Sequence, residues 1–149
     1  MTGIVAQNVG RTSGLIKSAG GGGGVWTLIK TLTASSSSTL SFVDGTSDVV
    51  LDSTYPIYVF KFNNIHLGTD CVDFQFNFSV DGGSNYNVTK TTTSFVAFHS
   101  EDDTYASLAY NWYYAGYGNT TSAVDAIQFK MSSGNIDAGK IKLYGLSDS

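Results

Sequence analysis

Five apolar residues at every second position constrain this chain more than any other feature. Val72, Phe74, Phe76, Phe78 and Val80 alternate with Asp73, Gln75, Asn77 and Ser79. Successive side chains of a strand point to opposite faces, so this spacing gathers all five on one side. Each buried Phe or Val contributes roughly 1.5–3 kcal/mol, and a one-residue slip would expose the whole set. A strand over residues 72–80 with its apolar face in the core is the expectation. Asp81-Gly82-Gly83 then reads as a turn into a strand starting near Tyr86, a hairpin.

The same period recurs along the chain. Trp26, Leu28 and Leu32 share one parity, and Val25, Ile29, Thr31 and Thr33 the other, which suits a strand covered on both faces. Residues 34–38 read as a polar break before Leu40 and Phe42, and Asp44-Gly45 is a turn signal. Pro56 stands just ahead of the alternating Tyr58, Phe60 and Phe62, where a missing N–H does least harm. A threonine-rich run from Thr89 leads into Phe95–Phe98. Ile127, Phe129 and Met131 mark another strand, and Ile141 and Leu143 a last one. The aromatic stretch from Tyr105 to Tyr117 resists assignment. No window of about eleven residues has a helical period. Roughly eight strands, spaced by about ten residues, predict an all-β fold: an antiparallel β-sandwich, specifically a jelly roll.

Residues 1–24 differ. Their apolar content centres on two pairs, Ile4-Val5 and Leu15-Ile16, and they end in five consecutive glycines, Gly20–Gly24. Such a run has many states to lose on ordering. The reading is an extended N-terminal arm with a Gly-rich joint over 1–24 and a sandwich over 25–149; a merely disordered terminus is the competing one. The arm's apolar pairs are candidate docking residues for a partner surface.

Charged residues are 13% of the chain, about half the usual ~25%. Net charge is −4 and the lysines are scattered, whereas phosphate binding needs clustered cations. No nucleic-acid partner is expected. Met1–Asn8 lacks the basic start and apolar core of a signal peptide, and no apolar run reaches membrane-spanning length, so no membrane partner is expected either. The single cysteine, Cys71, forms no disulfide within the chain and reads as structural at the start of the strongest strand.

Candidate chemistry is sparse. Gly134 through Lys140 approaches a phosphate-binding loop, but Ile141 stands where Ser or Thr is needed and a strand follows; a Gly-bounded hairpin turn is the better reading. His99, Glu101 and Asp103 alternate, and with His66 form a weak candidate metal set; a solvated loop is favoured. The eleven Asp and one Glu lie mostly in turns, which they cap. No nucleophile elbow or metalloprotease helix is present. The expectation is no enzyme, no cofactor and no bound metal. Tyr105, Tyr110, Trp112, Tyr113, Tyr114 and Tyr117 are the most distinctive group. Flat amphipathic rings serve subunit interfaces or stack on sugars, and the interface reading is preferred.

Four segments carry a resemblance: GIVAQNVGRTSGLIK from Gly3, TASSSSTLSFVDGTSDVVLDSTY from Thr33, YVFKFNNIH from Tyr58, and NTTSAVDAIQFKMSSGNIDAGKIKLYG from Asn119. In these the chain resembles small virion proteins of tailed bacteriophages of aquatic bacteria. It departs from them at Asn111–Gly118, which bridges a region longer in the group. The resemblance implies a virion structural protein, a capsid decoration, fibre or tail-associated subunit made in the host cytoplasm. It implies other virion proteins as partners. The low charge and the Tyr/Trp-rich stretch suggest contacts between copies, and analogy with fibres and capsid three-fold axes favours a homotrimer. A receptor- or glycan-binding module of a phage fibre is the alternative.

Overall fold

The structure is a computed structural model. It describes residues 24–100 and 107–147, and the side chains of residues 24–94 and 114–147. The fold is all-β. Eight strands run in chain order: β1 (Trp26–Ser37), β2 (Thr39–Val43), β3 (Ile57–Leu67), β4 (Phe74–Ser79), β5 (Lys90–Ser100), β6 (Ser107–Gly118), β7 (Ala126–Met131) and β8 (Ile136–Leu146). One sheet has the order β1-β8-β3, a second β2-β7-β4, and β5 pairs with β6 alone. Every pairing is antiparallel.

The two three-stranded sheets share one core. Ala34, Ile136, Ile141 and Leu143 come from the first, and Leu40, Phe42, Phe129 and Met131 from the second. Val49 and Leu51, from the β2–β3 connection, join them. Rings bridge the layers: Phe60 of β3 meets Phe42 of β2 at 5.4 Å and Phe129 of β7 at 5.3 Å, both edge to face. That geometry suits the quadrupoles of the rings and locks the sheets face to face. The order of these six strands is that of a jelly roll, in which a ribbon of antiparallel pairs (β1 with β8, β2 with β7) is rolled over itself.

Several local expectations are corrected. β1 is not covered on both faces: Trp26 and Leu28 are about half exposed. Its register with β8 shifts between Leu28 and Lys30, leaving Ile29 as an extra residue. The bulge reverses parity, so Leu28 faces outward opposite Tyr144 while Leu32, opposite Ile141, packs on the core. Residues 34–37 do not break β1; the interruption is Ser38 alone.

β4 is shorter than its pattern. Phe74 and Phe76 are 38% and 40% exposed, whereas Ser79, of opposite parity, is fully buried. The serine is tolerated because its Oγ donates to Asp81 Oδ1 at 2.7 Å and accepts from the amides of Asp81 and Gly83. Gly82 and Gly83 turn the chain with positive φ, as expected, but β4 does not form a hairpin with the strand that follows. Its partner is β7, and β5 begins only at Lys90. Cys71 is exposed, with φ 58° in a turn ahead of β4, and fills no core position. Gly134 does sit in a turn with φ 73°, yet it connects β7 to β8 across the two sheets and closes no hairpin.

Candidate assembly surface

The aromatic stretch that resisted assignment is β6, and its partner is β5. The ladder runs from Lys90 opposite Gly118 to His99 opposite Ala109. Large residues face each other in register: Phe95 with Tyr113, Val96 with Trp112, Phe98 with Tyr110. Gly116 allows close approach, since a Cβ there would lie 2.6 Å from the Thr91 carbonyl oxygen. Of the predicted residues, Tyr110, Trp112, Tyr113, Tyr114 and Tyr117 share this strand. The side chains of the first three lie outside the described residues, as do Tyr105 and the arm residues Ile4, Val5, Leu15 and Ile16. Tyr114 and Tyr117 are 71% and 66% exposed. They are an odd number of positions apart, so they occupy opposite faces of the hairpin and form no single stacking platform.

The hairpin leaves the sandwich at a built root. The Asn119 amide donates to the Thr89 carbonyl at 2.7 Å, and the Val88 amide reaches the Phe78 carbonyl at 3.4 Å. Lys90 bends back onto β4. Its Nζ donates to the Phe76 carbonyl at 2.5 Å and to Asn77 Oδ1 at 2.7 Å, and lies 5.0 Å from the centre of the Phe76 ring. Partial burial pushes the pKa of this amine below its ordinary value. Lysine at an edge carbonyl blunts a strand that would otherwise template further pairing.

Beside that root the sandwich is open. β3 and β4 are edge strands of their sheets among the described residues. Phe62 of β3 meets Phe74 of β4 at 5.3 Å, and both rest on Phe129. Phe62 remains 45% exposed, and Leu67 near the end of β3 42%, whereas Ile57, an odd number of positions from Phe62, is on the opposite face of the strand. Sequence reasoning missed this surface. Its one signal was a surplus: alternating phenylalanines on two strands exceed what a sandwich of this width buries.

The other candidates stand apart. His66 is exposed in a shallow groove of about 470 Å³ with Asn63, Asn64 and Lys140. Glu101 and Asp103 lie outside the described residues, as does the side chain of His99. Among the described residues no three His, Cys, Asp or Glu gather as a metal site, and no helix is long and apolar enough to cross a membrane. Comparison with protein-family models, with curated proteins and with solved structures finds no match for this chain.

Proposed function

We propose that the chain is a bacteriophage virion structural protein, a capsid decoration, fibre or tail-associated subunit that works by assembling with other virion proteins and with its own copies. The observation that carries the assembling part is the pairing of a long hairpin, joined to the sandwich at its root, with a sandwich side that is open among the described residues and bears half-exposed phenylalanines. Monomers rarely expose contiguous apolar surface without a partner for it. The virion part rests on the resemblance of four sequence segments. In this reading residues 1–19 attach the subunit, with Ile4, Val5, Leu15 and Ile16 filling pockets of another virion protein, and the sandwich projects. Mass spectrometry of purified virions that encode the chain should find it at many copies per particle, and a chain lacking residues 1–19 should be missing from them. Absence of the full chain from particles would sink the virion role; full incorporation of the shortened one would sink the arm.

A second reading, glycan or receptor binding, draws on exposed Tyr114 and Tyr117. Each presents a flat ring of the kind that stacks on sugars. A glycan array probed with the full chain tests it, and Tyr114→Ala with Tyr117→Ala should abolish any signal.

A further inference from the structure

The jelly-roll order leaves two places empty. Rolling a ribbon of four antiparallel pairs sets β6 beside β3 and β5 beside β4. Here β5 and β6 pair with each other along their length, and β3 ends its sheet with a free edge of eleven residues among the described ones. The hairpin strands are eleven and twelve residues long, a match in length to that edge. A two-stranded ribbon alone is marginally stable in water, and a long apolar free edge is a template for pairing. Among the described residues, one chain thus holds both a ribbon paired only with itself and an unfilled edge.

We propose that a second copy of this chain lays its β5–β6 hairpin along the free edge of β3, covering Phe62, Phe74 and Phe76. This deepens the self-assembly part of the reading above and rests on that part alone. Three observations select a second copy as the occupant. The chain's own hairpin is tied at its root to β4, by the Val88–Phe78 bond and by Lys90. Filling both places from within would also mean breaking the whole β5–β6 ladder, because the two places lie in different sheets. Of the two vacated places, the one beside β4 is already partly used by Val88 and Lys90, which leaves the one beside β3 to accept a strand.

The size is adequate. Eleven residues at ~3.3 Å each span about 36 Å, and a two-strand face about 10 Å wide covers roughly 360 Å². Counted on both partners that is about 700 Å², and two such contacts reach the ~1,200–2,000 Å² of a specific interface. A hairpin-to-body contact joins unlike surfaces. It closes either as a reciprocal two-fold pair or as a ring, the trimer included.

The test uses the full chain in solution. Light scattering should give a multiple of the chain mass at micromolar concentration; a monomer at every concentration would overturn the proposal. Position is tested in a Cys71→Ser background with two exposed sites, Phe62→Cys in one preparation and Ser94→Cys in another. Mixed and treated with a short bismaleimide, they should yield a product holding one chain of each. Cross-linking confined to single chains that carry both cysteines would mean the hairpin closes on its own body. No cross-link between variants that keep the parent's β-sheet circular dichroism would place the hairpin elsewhere. Either result overturns the exchange, and neither bears on whether the chain is found in virions.

Discussion

Phe129 is the ring on which the two sheets turn, and its removal should be the costliest single aromatic truncation in the described body. It is 4% exposed and touches four other rings: Phe42 at 6.3 Å, Phe60 at 5.3 Å, Phe62 at 5.2 Å and Phe74 at 5.8 Å. Phe129→Ala removes the buried ring and leaves a cavity between sheets that cannot close without shifting β7, the centre of its sheet. Such truncations cost about 3–5 kcal/mol. For a chain of this size that lowers Tm by roughly 6–20 °C, at ~2–4 °C per kcal/mol. Phe74→Ala is the control. Phe74 stacks parallel on Phe129 but keeps 38% of its surface in water, so about 1–2 kcal/mol is expected at low protein concentration. Urea unfolding followed by circular dichroism gives both values, with an unchanged slope as the sign that the denatured state is not altered. A Phe129→Ala loss under about 1.5 kcal/mol, or equal losses for the two, would refute the placement of Phe129 at the centre of the core.

Other outcomes follow from single sites. Asp81 has its pKa lowered to about 2, chiefly by the Ser79 hydroxyl and then by Asn85. Its carboxylate therefore stabilises the turn fully above the unfolded value near 3.8, and that contribution is lost as pH falls through about 2; Asp81→Asn should flatten the thermal stability profile between those limits. Gly139 has φ 125°, and a Cβ there would lie 2.5 Å from the Asn64 carbonyl oxygen. Gly139→Ala should cost more than about 1 kcal/mol by denaturant titration, and a neutral result would mean β3 and β8 are not so close there. Lys90→Met keeps the stem of the side chain but frees the Phe76 carbonyl. It should raise thioflavin-positive aggregation at constant Tm, and unchanged solubility would count against Lys90 as an edge guard.

The existence of most strands was legible because period two is a local signal. Ile141 and Leu143 in β8, and Phe129 and Met131 in β7, stand where alternation put them. What escaped were features decided by distant segments. Trp26 and Leu32 share a parity in the sequence and lie on opposite faces, because one bulge at Ile29 intervenes. Phe74 and Phe76 look like core yet stay half exposed, because among the described residues no strand covers the β3–β4 side. Partner choice is likewise non-local: β4 prefers β7 across a long stretch of chain to the strand that comes next. For the candidate site, the aromatic cluster was visible by residue type. Its strand, its partner β5 and the separation of Tyr114 from Tyr117 onto two faces required the ladder register.

The two strands at the centres of the sheets, β7 and β8, are the last of the eight to leave the ribosome. At about 5–20 residues per second, the stretch from β1 to the start of β7 takes roughly 5–20 s to emerge. Through that interval β1, β3, β2 and β4 have no central strand to pair with. The β5–β6 ladder needs nothing that comes later, and hairpins close in about 1–10 μs. Nascent chains stalled before Ala126 should then be cut by protease throughout β1–β4. The ribbon that stays outside the roll is thus the one pairing already made when the rest becomes possible, and the order of synthesis itself favours a subunit with its arm held out.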